Sequence, residues 1–284
     1  MTLRAWRFAP LLLLSITSCK KEGGTPAFVR INGPEVRNAA GTEVIPSAIT
    51  DFWVYANDQP VGVWQADRRI PVLASGTTNI KVIAGVRKNG ITDARIQYNF
   101  LETYSVDVAL EEGKELTLEP VFRYYNDIAT YEDFEETGVR FDFAAGDTSF
   151  VYVDADTADV ISGERAGAIV LDAAHPTFVG VSIQDPPFNN GVQPAFLELD
   201  LRSDTRLLVG AQFELNGQEF IVPSVFLSPT AQNDGSMPWR HVYIDLGSLW
   251  GNGGSVERQF YFRAALENGA TSARIVLDNI RVVY

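Results

Sequence analysis

From Phe28 to the end of the chain, apolar residues recur every second position rather than every third and fourth. No stretch of ten or more residues carries the helix period. Short runs rich in Val, Ile, Phe and Tyr are instead punctuated by Gly, Pro, Asn and Asp. That pattern predicts an all-β chain. In a first region the predicted strands are 28–31, 51–56, 61–65, 79–84, 104–110 and 115–120. Ser105 to Leu110 and Glu115 to Leu118 alternate cleanly, which gives each one apolar and one wet face. Asn57-Asp58-Gln59-Pro60 predicts a turn between two strands, and Glu111-Glu112-Gly113-Lys114 predicts a hairpin. Residues 123–128 end a strand at an aromatic pair and then turn polar, so they read as a joint. A second region contains strands at 167–171, 196–202, 207–213, 239–246, 259–266 and near the end. Their lengths and turn spacing suit a two-sheet jelly roll. The expected architecture is two β-sandwich domains, 28–126 and 129–284, the second a jelly roll.

The first nineteen residues differ from everything after them. Arg4 and Arg7 form a short basic head, Phe8 to Leu14 an apolar run, and Ile16-Thr17-Ser18 leads to Cys19, the one cysteine of the chain. The apolar run is too short to span a bilayer as a helix. It resembles the signal of bacterial lipoproteins, which implies a leader at 1–18, acylation of Cys19 and a tether over 19–27. The implied location is the cell envelope, with the protein lipid-anchored to the outer membrane. With that thiol consumed, no disulfide can form, and the fold must be held by core burial. Hydrophobic residues make up 46% of the 284, enough for globular sandwiches. The formal charge of −13, without a basic cluster, excludes nucleic acid as a partner.

The first region resembles the small sandwiches of the PEGA and carboxypeptidase-regulatory type. The likeness rests on Asn57-Asp58-Gln59-Pro60-Val61-Gly62 followed by Pro71-Val72-Leu73 and Gly76. It implies a non-catalytic spacer. In the second region, Glu132-Asp133-Phe134-Glu135, then Ser162, Gly163, Ala166 and Leu171, then Leu277-Asp278-Asn279-Ile280-Arg281-Val282 resemble the galactose-binding-like jelly rolls that include many carbohydrate-binding modules. That resemblance implies glycan binding and a structural calcium between first and last strands. Its ligands would be Asp278 with Glu132, Asp133 or Glu135, because carboxylates suit a hard cation.

Other candidates follow from residue chemistry. A pyranose ring offers an apolar C–H face that stacks on aromatic rings, so Trp239, Trp250 and Tyr243 are candidate ligand contacts. The Gln184–Asn190 loop would form a rim. Trp53 and Trp64, within strands, are expected in the core. Glu198, Asp200 and Arg202 fall on one face of a strand whose other face is Leu197, Leu199 and Leu201. A jelly-roll glycosidase family places two glutamates and an aspartate in such an alternation. Here arginine stands where the acid/base would be, so catalysis is not expected. Asp154 to Asp159 lacks the glycine and distal glutamate of a calcium loop and predicts a turn. The two histidines, His175 and His241, show no metal-ligand spacing. The expected function is that of a non-catalytic envelope lipoprotein whose partner is a glycan or another envelope protein.

Overall fold

The computed structural model describes residues 24–128, 130–143, 148–154, 159–183, 194–250 and 254–284. The leader, Cys19 and the 184–190 loop lie outside the described residues. Ten strands build the N-terminal unit: β1 (Ala27–Ile31), β2 (Glu35–Arg37), β3 (Asp51–Ala56), β4 (Gln59–Gln65), β5 (Arg69–Val72), β6 (Gly76–Arg87), β7 (Arg95–Gln97), β8 (Tyr104–Leu110), β9 (Glu115–Leu118) and β10 (Val121–Arg123). They form a sheet ordered β4-β3-β6-β7 with β8 also on β6, faced by β5-β1-β9 and the pair β10-β2. Val29, Ile31, Phe52, Val54, Ile80, Val82 and Phe122 fill the space between.

The second unit contains β11 (Thr130–Glu132), β12 (Phe141–Phe143), β13 (Phe150–Asp154), β14 (Arg165–Asp172), β15 (Thr177–Ser182), β16 (Phe196–Ser203), β17 (Leu207–Leu215), β18 (Gln218–Leu227), β19 (Arg240–Asp245), β20 (Val256–Ala265) and β21 (Ser272–Val283). One helical turn, α1 (Gly247–Trp250), follows β19. Sheets β13-β14-β21-β16-β19, with β11 on β21, and β12-β15-β20-β17-β18 close on a second core. Leu197, Leu199, Leu201, Ile275, Leu277, Phe260 and Phe262 sit at its centre. The all-β fold is the one its alternation predicts.

Two local features depart from the simplest reading. Gly113, at φ 74°, does turn the chain at 111–114. The strands it joins do not pair, however: β8 lies on β6 and β9 runs parallel to β1. The turn is an arch between sheets, not a hairpin. In β21, the register slips between Asp278 and Arg281 opposite Asp200 and Glu198, and Asn279 takes φ 50°. This is a bulge. Leu277 and Ile280 both reach the core, so Asp278 and Asn279 are the residues left over on the sheet's far side.

That far side is not solvated. The N-terminal unit sits on it. Asn89 N–H donates to the Tyr243 carbonyl at 2.7 Å, Asp245 N–H to Asn89 Oδ1 at 2.9 Å, and Ala48 N–H to the Tyr243 hydroxyl at 3.0 Å. Phe196, Tyr243 and Val283 of the second unit pack into the core of the first.

Candidate functional site

Where the two sandwiches meet, a cleft of about 630 Å³ opens. Junctions of this kind are where ligand pockets concentrate, and the volume is that of a small-ligand site. The floor is backed by four buried aromatic rings: Tyr98 after β7, Tyr124 after β10, Phe196 at the start of β16, and Tyr131 of β11. The rim carries Tyr125 and Tyr284, with 57% and 45% of their surfaces exposed. Gln97, Asn99, Asn126, Asp127 and Arg140 add amide, carboxylate and guanidinium groups. Each sandwich contributes one wall. Neither alone contains the site.

Chain geometry explains the placement. β10 ends at Arg123, and the Leu101–Tyr124 bridge then pins the chain. Successive residues point to opposite sides, so Tyr124 is buried while Tyr125 is exposed. Tyr131 is held in place as its hydroxyl donates to the carbonyls of Arg140, at 2.5 Å, and Ile183, at 3.0 Å. The Arg140 guanidinium lies 5.9 Å from the centre of that ring.

Behind the floor is a buried polar network. Glu198 is fully buried. It accepts from the Tyr124 hydroxyl, whose one proton is shared between its two oxygens at 2.8 and 2.9 Å, and from the Tyr98 hydroxyl. His241 Nε2 lies 3.7 Å from it, an ion-pair distance, while Nδ1 contacts Asp200 at 2.9 Å. Asn279 Nδ2 donates to the other Asp200 oxygen at 2.9 Å. Burial pulls the His241 imidazole pKa down, but the bonds and charges of Asp200 and Glu198 outweigh it and lift it to about 9. Burial and the Glu198 charge push the Tyr98 and Tyr124 hydroxyls well above their ordinary range. Glu198 is sealed under two tyrosines, and Arg202 pairs with Asp159 at 3.1 Å.

The candidates named from sequence are dispersed. Trp250 is 3% exposed in the second core, its indole N–H donating to the Gln259 carbonyl at 3.0 Å. Tyr243 is 2% exposed at the domain junction. A stacking platform needs an open ring face, and neither residue has one. Trp239 is half-buried against Ala166, Ala168 and Val276, on the far side of the same sheet. Of the expected core tryptophans, Trp64 packs against the N-terminal core. Trp53 lies over Gly85 instead, where a Cβ would come within 2.1 Å of its ring.

The expected calcium ligands are largely engaged elsewhere. Glu132 accepts from Phe134 N–H and Arg140 N–H, both at 2.8 Å. Asp133 accepts from Glu135 N–H at 3.2 Å, and Glu135 from Glu164 and Arg165 N–H at 2.8 and 3.0 Å. Asp278 accepts from Asn279 N–H at 2.7 Å, and the backbone of Ile161 and Ser162 also faces it. Burial raises that carboxyl to about 7. Among the described residues no three acidic, histidine or cysteine side chains are grouped to hold a metal.

Sequence reasoning passed over Tyr98, Tyr124, Tyr125 and Tyr284. One signal was present: the Tyr124-Tyr125 pair at the joint, where an aromatic doublet is followed by Asn126 and Asp127.

No protein-family model and no curated protein matches the chain. Solved structures do resemble it. A carbohydrate-binding module of family 28, specific for non-crystalline cellulose, aligns at TM-score 0.40 and 15% identity, over 56% of this chain and 96% of that one. The family 11 module of the Clostridium thermocellum cellulase Lic26A-Cel5E aligns at 0.36 and 14%, over 55% and 94%. A structure from work on promiscuous modules of the β-sandwich superfamily aligns at 0.39 and 11%, over 83% and 86%.

Proposed function

We propose that this is a non-catalytic, lipid-anchored envelope protein that binds a glycan in the cleft between its sandwiches. The observation that carries the reading is the cleft's lining. Exposed Tyr125 and Tyr284 offer ring faces to the apolar side of a sugar, and Asn99, Asn126, Asp127 and Arg140 offer partners to its hydroxyls. An apolar ligand would make no use of the amide and carboxylate groups, and a small ion would leave the rings unused. The leader pattern ending at Cys19 supports anchoring by acylation.

The test is a glycan array probed with the whole mature chain, followed by calorimetry on whatever binds. Tyr125→Ala and Tyr284→Ala should each weaken binding at least tenfold, while Trp250→Phe should leave it unchanged after correction for stability. Cys19→Ser should move the protein from the membrane to the soluble fraction. Undiminished binding by both tyrosine variants would remove the cleft from consideration.

A further inference from the structure

Tyr98 and Tyr124 have two jobs at once. Their buried rings underlie the cleft, and their hydroxyls both end on one carboxylate of the other sandwich. We infer that Glu198 is the positioning residue of the cleft: it latches the N-terminal sandwich onto the second through these two hydroxyls, and the binding site exists only while the latch is closed. The inference deepens the glycan reading and rests on it for the identity of the ligand.

The geometry supports the latch at each step. Glu198 has no solvent contact, so its charge must be met by protein groups. The neutral donors come from the N-terminal sandwich. The cationic partner comes from its own: His241, at 3.7 Å on the neighbouring strand β19. Arg281 stands opposite Glu198 in the β16–β21 register, its guanidinium bonded to Thr130 and Asn279. Asp200 and Asn279 hold His241 in turn. With the N-terminal sandwich lifted away, the carboxylate would lose both hydroxyl donors. Hydrogen bonds to a charged group are the strong kind, and both are lost or made together. The rings follow their hydroxyls: Tyr98 packs edge-on against Phe196, centroids 5.5 Å apart, and against Tyr243 at 4.9 Å. Fixing the hydroxyls therefore fixes the buried layer beneath the cleft, and with it the backbone that presents Tyr125, the exposed neighbour of Tyr124, at the rim.

Paired spin labels measure docking without any ligand. Glu112→Cys and Gln218→Cys are exposed positions, one on each sandwich, in a chain whose Cys19 is replaced by serine. The parent should give one narrow distance distribution. Tyr98→Phe with Tyr124→Phe keeps the rings and removes both donors. It should broaden the distribution and weaken binding of the array-selected glycan at least tenfold. Glu198→Gln should do the same to a lesser degree. Tyr125→Ala should weaken binding with the distribution unchanged. A narrow distribution in the double variant overturns the latch, whatever happens to binding. A broad distribution with unchanged affinity overturns the positioning role. If the parent binds no glycan, the glycan reading fails, and the distance measurement alone decides the latch.

Discussion

His241 is the residue on which the buried network balances. Two carboxylates, Glu198 and Asp200, face it from β16, and the Tyr243 ring lies against it at 4.8 Å. Its folded-state pKa, about 9, stands above the ordinary 6.5. The folded chain thus holds a proton that the unfolded chain releases, and stability must fall as pH rises through that interval. The contribution is complete below pH 6.5 and gone above about 9. A shift of this size corresponds to roughly 3 kcal/mol at most. Urea midpoints measured from pH 6 to 10 should decline across that window, and His241→Gln should flatten the decline. A decline of equal size in the variant would place the effect elsewhere. The raised Asp278 carboxyl acts in the same direction but finishes by about pH 7, and the raised tyrosine hydroxyls begin to act only near pH 10, so the slope between pH 7.5 and 9 isolates the histidine.

Hairpins show how much of an element a sequence discloses. The Asn57-Asp58 turn was legible because its chemistry is local. The ladder closes at Ala56 and Gln59, and both loop residues take positive φ, 47° and 63°. This is a two-residue type I′ turn, which asparagine and aspartate tolerate. Asn57 Oδ1 also accepts the Asn79 N–H at 2.9 Å. Asn57→Ala should lose that bond and strain the backbone, at a cost of about 1–2 kcal/mol, read as a lower denaturation midpoint. An unchanged midpoint would mean that the turn relaxes freely. The Glu111–Lys114 turn has equally plain chemistry, yet its strands part into different sheets. Turn residues specify a change of direction, while pairing is decided by distant strands. Leu197, Leu199 and Leu201 were correctly read as a core face by alternation. Glu198 and Asp200 on the other face look like solvent-facing charges until a second unit is known to cover them.

At the scale of the molecule, the same limit explains the cleft. Alternation and turn spacing reveal sandwiches one at a time, because each is built from nearby sequence. A surface shared by Tyr98, Tyr124, Phe196 and Tyr284 is assembled from four distant segments, and only docking brings them together. Docking also changes what a fragment can report. Residues 129–284 alone would expose Phe196, Tyr243 and Val283, all of which pack into the N-terminal core, and would strip Glu198 of its tyrosine donors. Such a fragment should melt below the full chain and bind an apolar dye, and it should fail to bind any glycan the full chain binds. Calorimetry on the intact chain should show one main transition, since the unit that unfolds first uncovers a large apolar and ionic surface on the other. Two well-separated transitions, with the second matching that of the isolated fragment, would show that the sandwiches are energetically independent despite their contact. In that case one rigid cleft could not be the working form of the protein.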